Sequence, residues 1–398
     1  MKKGDLRPND QYDETALVLQ GGGSLGAYQA GAFESLFGSK IDFHWVTGVS
    51  IGAINASIIV GNPPTQRVDK LRSFWSSVTA NIPPTFLIPP DRLSNKLYGL
   101  LSALRCLTFG VPGFFLPRFG QRYDEVSFYD TAPLQQLLER HVDFDLINSG
   151  KVRLSLGSVN VLTGEMMYFD SRTMRIGPEI VMASGALPPG FPPIKVNGEY
   201  FWDGGLVSNT PLSYVLRHAS AEKTLVFEVD LFNPVGALPQ SIGDVLERHK
   251  DIVYSSRTRT NVDNFRENYD LRRALATLRK SLPPEVSSRA EISRLLAMGE
   301  ERLFSVVRLV YREAAFEGPA KDCEFSAASM RRHWEAGRSA GLNSASSTEW
   351  RTPPVDQLGI ALFEVDEKGN TKNLLATAAA PTANMGCSAV PEEQGVAR

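Results

Sequence analysis

The sequence predicts an α/β fold in which short buried strands alternate with helices. Residues 16–19 form an apolar strand that leads through a glycine-rich turn into a helix over residues 27–37. Residues 43–49 repeat this order, with a β-rich segment, a sharp turn and an apolar, small-residue helix over residues 51–60. Repeated strand–turn–helix units are typical of parallel sheets. After residue 235 the sequence becomes charged and helical, which predicts a mainly helical C-terminal extension.

The composition is that of an ordinary globular protein. The chain has 398 residues, of which 42% are hydrophobic and 22% charged, and its net charge of −2 gives no support for a nucleic-acid partner. Three widely spaced cysteines, Cys106, Cys323 and Cys387, indicate a reducing compartment rather than a disulfide framework, and they form no zinc-binding pattern. No signal peptide or membrane-spanning stretch is evident. We therefore expect a cytoplasmic protein whose membrane contact, if any, is peripheral.

The first turn has two interpretations. Gly21, Gly23 and Gly26 fit the G-x-G-x-x-G pattern of dinucleotide-binding loops. That interpretation requires an acidic residue at the end of the second strand, whereas Asp42 precedes this strand. Alternatively, the amides of Gly21, Gly22 and Gly23 converge as an oxyanion hole, the set of N–H donors that stabilises an acyl-transfer intermediate. In a parallel sheet this loop would lie beside the turn that follows the next strand.

The second turn has the pattern of a nucleophile elbow. Gly48, Ser50 and Gly52 form G-x-S-x-G between a strand and a helix, which is the context that such an elbow requires. The helix N-terminus favours negative charge at the serine. The alternative is a tight turn with an incidental serine.

The remaining elements follow the hydrophobic pattern. We predict helices over residues 130–140, 180–186, 245–280, 285–315 and 326–341, strands over residues 152–161, 166–169 and 224–232, and a hairpin formed by residues 194–196 and 200–202.

The hairpin delivers a candidate base for the serine. Asp203 follows the second hairpin strand and is released by Gly204 and Gly205, so its carboxylate can turn out of the sheet. An ordinary Asp-Gly turn is the alternative. In a Ser-Asp-His order His218 would be the base, but it lies near a helix end, where a solvated histidine is common.

The three motifs in this order and spacing resemble the patatin-like phospholipase family. The resemblance covers about residues 14–215, and includes Ala183–Pro188 and Asn209–Pro211. It implies a central, mostly parallel sheet flanked by helices, and hydrolysis of lipid acyl esters by a Ser-Asp dyad without a metal or other cofactor. The implied nucleophile is Ser50 and the implied base is Asp203, with Gly22 and Gly23 among the oxyanion donors. The helical C-terminal part resembles an extension found in some bacterial members.

The segment over residues 80–120 is rich in proline and aromatic residues. Its apolar side chains are accompanied by a mostly basic set of charges, and they include Phe86, Leu87, Ile88, Phe109, Phe114, Phe115 and Phe119. One interpretation is an insertion whose aromatics are buried against the core. The other is a mobile cap that contacts lipid or holds an acyl chain.

These observations divide the chain into a flexible N-terminus (1–13), a hydrolase domain (14–235) with the candidate cap (80–120), a mainly helical region (236–365) and a disordered tail (366–398). The predicted function is a serine-dependent lipid acyl hydrolase acting on a lipid or phospholipid ester. The alternative is a catalytically silent module that binds lipid or nucleotide. The two differ in whether Ser50 reacts with a fluorophosphonate probe.

Overall fold

The computed structural model describes most of the chain. The described residues are 7–79, 92–118, 126–299, 302–312, 318, 320–354, 359–366 and 368–375, with side chains of the helix that begins at Arg92 described from residue 101 onward. Predictions for residues 1–6, 80–91, 119–125 and 376–398, and with them Phe86, Leu87, Ile88, Phe119 and Cys387, lie outside this part.

The strands and helices largely follow the hydrophobic pattern. The strands are β1 (Glu14–Leu19), β2 (Trp45–Val49), β3 (Leu116–Pro117), β4 (Tyr129–Asp130), β5 (Arg153–Asn160), β6 (Met166–Asp170), β7 (Ile194–Val196), β8 (Glu199–Asp203), β9 (Lys223–Asp230), β10 (Leu303–Val310), β11 (Ile360–Val365) and β12 (Thr371–Asn373). The helices are α1 (Gly26–Gly38), α2 (Ile51–Val60), α3 (Arg67–Ser77), α4 (Arg92–Phe109), α5 (Ala132–His141), α6 (Phe144–Asn148), α7 (Pro178–Ser184), α8 (Leu212–His218), α9 (Ile242–Tyr254), α10 (Thr258–Ser281), α11 (Pro284–Ser287), α12 (Ala290–Leu296) and α13 (Ala327–Ser346).

Within the described residues, one ten-stranded sheet organises the molecule. Its order is β12-β11-β10-β9-β1-β2-β5-β8-β7, and β6 also pairs with β5. The six central strands from β11 to β5 run parallel, whereas β6, β7, β8 and β12 pair antiparallel with their neighbours. The predicted central, mostly parallel sheet flanked by helices is confirmed. Because β1, β2 and β5 are adjacent and parallel, the turns after them meet at one edge.

Each face of the sheet is covered by helices. Alternate residues of β1 point to opposite faces, so Leu17 and Leu19 join one hydrophobic cluster and Ala16 and Val18 join the other. Helices α1, α2 and α3 cover the first face, and α8 and α10 contribute to the second. A strand that is buried on both faces has a continuous apolar sequence, and β1 has such a sequence.

The C-terminal region contributes strands as well as helices. The prediction of a helix over residues 285–315 is wrong for β10, whose eight residues are all buried. Its β-branched, apolar segment pairs in parallel with β9, and Arg308 on it forms an ion pair of 2.6 Å with Asp230. Strands on both sides of residue 235 therefore share one sheet. The predicted helix over residues 245–280 is two helices, α9 and α10.

Both ends of the described chain are tied to this sheet. Tyr12, in the predicted flexible N-terminus, is buried, and its hydroxyl oxygen lies 2.8 Å from Ser305 Oγ. The predicted disordered tail is wrong for residues 371–373, which form β12 at the sheet edge.

Helices α1 and α13 cross with their backbones in contact. A Cβ added to Gly337 would lie 1.9 Å from the carbonyl oxygen of Tyr28, and one added to Gly31 would lie 1.9 Å from that of Trp334. No side chain fits at these positions unless the helices separate.

We predict that Gly337→Ala lowers the free energy of unfolding by about 1–3 kcal/mol, because the added methyl group forces α1 and α13 apart. Urea denaturation measures this change. Gly38→Ala is the matched control, since nothing lies within 4 Å of its Cβ position and alanine is the better helix former. Equal stability of the two variants would contradict the close crossing.

Candidate active site

Ser50 occupies a strained turn between β2 and α2. Its φ of 57° and ψ of −126° are rare for a residue with a side chain. A Cβ on Gly48 would lie 2.3 Å from the carbonyl oxygen of Gly52, and one on Gly52 would lie 2.3 Å from that of Leu19. The two motif glycines are thus required by close backbone contacts. The Ser50 N–H donates to the carbonyl oxygen and to the hydroxyl of Ser184, each at 3.1 Å.

Asp203 lies beside this serine at the end of β8. Its strand pairs antiparallel with β5, which places Asp203 opposite Ser158 near the carboxyl ends of the parallel strands. The carboxylate accepts a hydrogen bond of 2.7 Å from the Gly205 N–H, and the Ser50 side chain lies near enough to lower its pKa. Asp203 is only 2% exposed. Burial raises its pKa to about 6, and the hydrogen bonds from Ser50 and Gly205 limit this rise.

The glycine loop after β1 borders the same point. Gly21 and Asn209 form a reciprocal pair: the Gly21 N–H donates to the Asn209 carbonyl at 3.1 Å, and Asn209 Nδ2 donates to the Gly21 carbonyl at 3.0 Å. Gly21 therefore has no free N–H for an oxyanion. Within the described residues, the N–H groups of Gly22 and Gly23 form no hydrogen bond to a protein acceptor.

The conformation of the loop requires glycine at position 23. Gly23 has a φ of 55°, and a Cβ there would lie 2.1 Å from the carbonyl oxygen of Asp322. The loop is thus packed against the C-terminal region as well as against Asn209.

Ser50, Asp203 and the glycine loop line a cavity of about 300 Å³. Its wall is mainly apolar and draws on α2, α4, α5 and the segments around residues 114 and 190. The apolar lining residues are Ile51, Ile54, Leu107, Phe114, Phe115, Tyr129, Leu134, Leu187, Pro188, Pro189, Phe191, Phe232 and Phe325. Phe114 and Phe115 are buried, so these two aromatics of the 80–120 segment form part of the cavity wall.

Histidines contribute nothing to this cavity. All five lie in the described part of the chain, and none lines it. His218 is exposed at the end of α8, where its ring stacks on Tyr214 with centroids 4.1 Å apart. His44 lies before β2 and accepts the Thr15 N–H at 3.0 Å.

The C-terminal region supplies residues that the sequence did not indicate. Tyr254, at the end of α9, lines the cavity, and its pKa is raised by burial and then by the charges of Asp203 and Asp322. Its carbonyl oxygen accepts from Gln20 Nε2 at 3.1 Å and from Asn209 Nδ2 at 2.8 Å. Asn209 belongs to a stretch that carries the family resemblance, but no pattern in the sequence points to Tyr254 or Asp322.

Two family models match the chain. The family model "Patatin-like phospholipase" matches residues 17–216, which span β1, the elbow and Asp203. The chain belongs to the patatin-like phospholipase family. A second family model, described as "Patatin phospholipase", matches residues 252–357 of this patatin-like protein, within its C-terminal region.

Individual relatives are distant. A putative patatin-like phospholipase domain-containing protein, M110.7 of Caenorhabditis elegans, is 25% identical over 219 residues, which are 54% of this chain and 17% of that protein. The chain thus spans about one sixth of that relative's length. Among solved structures, VipD from Legionella pneumophila has a TM-score of 0.37 at 15% identity, covering 85% of this chain and 67% of VipD. The SpcU–ExoU complex from Pseudomonas aeruginosa has a TM-score of 0.26 at 15% identity, covering 88% and 73%.

The described residues contain neither a membrane-crossing helix nor a metal-binding cluster. None of their helices combines the length and the apolar character needed to cross a bilayer. No group of three or more His, Cys, Asp or Glu side chains among them is arranged to hold a metal ion.

The buried Asp203 carboxylate predicts a pH-dependent difference in stability. Its folded-state pKa of about 6 lies above the reference value of 3.8, so its stabilising contribution is full below about pH 4 and is lost as the pH rises through 6. Asp203→Asn should therefore gain stability relative to the parent between about pH 4 and pH 8, by about 3 kcal/mol. Urea unfolding of both proteins across this range measures the difference. A difference independent of pH would show that the carboxylate titrates normally.

Proposed function

We propose that this patatin-like protein is a serine-dependent lipid acyl hydrolase that acts on carboxylic esters of lipids or phospholipids. One observation carries the proposal: Ser50, on a strained elbow, lies beside the buried Asp203 carboxylate at the wall of an apolar cavity. Membership of the patatin-like phospholipase family supports the same chemistry.

In the proposed first step Asp203 accepts the hydroxyl proton while Ser50 Oγ bonds to the ester carbonyl carbon. The carbonyl oxygen becomes an oxyanion, which the N–H groups of Gly22 and Gly23 stabilise. The tetrahedral intermediate then breaks its bond to the alcohol oxygen, and protonated Asp203 gives that oxygen its proton. The products are a free alcohol and an acyl ester on Ser50.

The second step consumes water. Asp203, again ionised, takes a proton from a water molecule whose oxygen attacks the acyl carbon. The intermediate breaks its bond to Ser50 Oγ, which regains a proton from Asp203, and a carboxylic acid leaves. A carboxylate with its ordinary pKa is a weak base, so the burial that raises the Asp203 pKa to about 6 strengthens it for both steps.

The other members of the site have supporting roles in this proposal. Asn209 holds the glycine loop through its pair with Gly21, and Ser184 holds the Ser50 amide. The apolar wall, including Phe115 and Phe191, receives the acyl chain and removes it from water. That lining suits an acyl chain better than the phosphates of a nucleotide.

We predict that Ser50→Ala and Asp203→Asn each lower kcat/KM for a soluble short-chain ester by about 10³-fold or more, since the two residues act as one unit. The double variant should be no worse than either single variant. Fluorophosphonate labelling should map to Ser50 and disappear in Ser50→Ala. Labelling of another serine, or none in the folded parent, would contradict the nucleophile and favour a silent binding module.

His218→Ala is the control for the base. It should leave kcat/KM within about twofold, because His218 lies outside the cavity. In the parent, kcat/KM should fall about tenfold per pH unit below about pH 6, where Asp203 becomes protonated. An inactive His218→Ala with an active Asp203→Asn would restore a histidine-dependent mechanism.

We predict that Phe191→Ser lowers kcat/KM for the palmitoyl ester of p-nitrophenol more than for the butyryl ester, by about tenfold in their ratio. Only the longer chain reaches this part of the wall, where Phe191 packs against Phe115 with ring centroids 5.3 Å apart. Phe128→Ser is the matched control, because Phe128 is exposed and does not line the cavity. An unchanged ratio would place the acyl chain elsewhere.

A further inference from the structure

Helix α9 presents an apolar face to solvent. Ile242, Leu246 and Ile252 are 77%, 55% and 57% exposed, and Val245 and Val253 are exposed as well. With spacings of three, four and seven residues, these side chains lie along one side of the helix, which we call the outer stripe of α9. The only polar side chain at the same spacing is that of His249. Leaving such a continuous stripe in water is unfavourable.

The opposite, polar face of α9 is fixed to the protein by ion pairs. Lys250 Nζ lies 2.7 Å from Asp322 Oδ1, and Asp251 Oδ1 lies 2.9 Å from the Nζ of buried Lys321. Arg248 Nη1 also donates to the carbonyl oxygen of Asn233 at 3.3 Å. A surface helix usually packs its apolar face inward. Here rotation of the helix would break these contacts, so the outward direction of the stripe is built into the fold.

The stripe runs towards the cavity that holds Ser50. Tyr254 ends α9 and lines the cavity, as does Asp322, the ion-pair partner of Lys250. The side-chain amides of Gln20 and Asn209 hold the Tyr254 carbonyl, so the end of α9 is fixed beside the glycine loop.

A second apolar stripe borders the same cavity. On α4, Leu101, Leu104 and Leu107 follow one another at intervals of three residues and are exposed, as is Phe109 at the end of the helix. Leu107 also lines the cavity, so it stands at the mouth.

We propose that the outer stripe of α9, together with the exposed leucines of α4, docks on a lipid surface. The choice of a lipid surface rests on the proposed function, because an acyl ester must leave such a surface to reach Ser50. A protein partner or second copy that covered both stripes would also cover the mouth that they border. A lipid surface covers both and supplies the substrate, and an amphipathic helix lies in such an interface with its apolar face buried.

The test is vesicle binding by a Ser50→Ala protein, which leaves the lipids intact. Vesicles of phosphatidylcholine, alone and mixed with phosphatidylglycerol, are titrated in a flotation assay. Leu246→Ser with Ile252→Ser should raise the dissociation constant about tenfold or more, because two apolar side chains no longer enter the surface. Leu271→Ser with Leu342→Ser is the matched control, since these leucines on α10 and α13 are 61% and 57% exposed. The control pair should bind as the parent does.

Soluble-ester hydrolysis with Ser50 intact separates this inference from the proposed function. The double variant Leu246→Ser with Ile252→Ser, which we call the stripe pair, should retain the full kcat/KM for the butyryl ester, because neither residue lines the cavity. A parent that binds vesicles through the stripe but hydrolyses no ester would refute the hydrolase and leave the docking surface standing.

Several outcomes would overturn the docking surface. These are equal vesicle binding by the stripe pair and the parent, equal weakening by the control pair, or no vesicle binding by the parent at either composition. A dimer in solution that the stripe pair dissociates would assign the stripe to a second copy instead. If the serines lower the melting temperature, Leu246→Ala with Ile252→Ala repeats the test while keeping helix propensity.

Discussion

Burial of the Asp203 carboxylate against Ser50 is the interaction on which the site depends. A carboxylate at this depth loses hydration, which raises its pKa to about 6, while the nearby Ser50 side chain and the hydrogen bond from the Gly205 amide limit this rise. Holding it there requires β8 to pair with β5 at Ser158 and requires Ser50 to adopt its strained φ. The folding of the surrounding sheet and helices must therefore offset both the lost hydration of Asp203 and the backbone strain at Ser50. In the proposed mechanism, the raised pKa makes this carboxylate a stronger base towards Ser50.

The glycine loop and the C-terminal region are connected through two amide side chains. Asn209 pairs with Gly21 and also donates to the Tyr254 carbonyl, while Gln20 donates to the same carbonyl and accepts the N–H groups of Leu231 and Phe232. These bonds join the loop after β1, the loop after β9 and the end of α9. Helix α9 and the glycine loop are thus connected through the side chains of Gln20 and Asn209. This arrangement explains why the C-terminal strands and helices belong to the same body as the candidate site.

The 80–120 segment combines parts of the two interpretations drawn from its sequence. Phe114 and Phe115 are buried, as in a core-capping insertion, yet they line the cavity beside Ser50. Leu101, Leu104 and Phe109 are exposed on α4. Aromatic composition alone could not divide these side chains between wall and surface, because both environments accept large apolar groups.

The sequence by itself determined the local units: the strand–glycine–helix turns, the G-x-S-x-G elbow with Ser50, and the hairpin that ends at Asp203. These follow from hydrophobic period and glycine placement, which act over a few residues. Other features depend on contacts between residues that are distant in the chain, and only the tertiary structure decided these. The pairing of β10 with β9 overrode the predicted helix, because an apolar run buried on both faces fits either element until its partners are known. The engagement of Gly21 by Asn209, the raised pKa of Asp203 and the outward apolar face of α9 likewise arise from contacts between segments that lie far apart in the chain, and no local pattern encodes them.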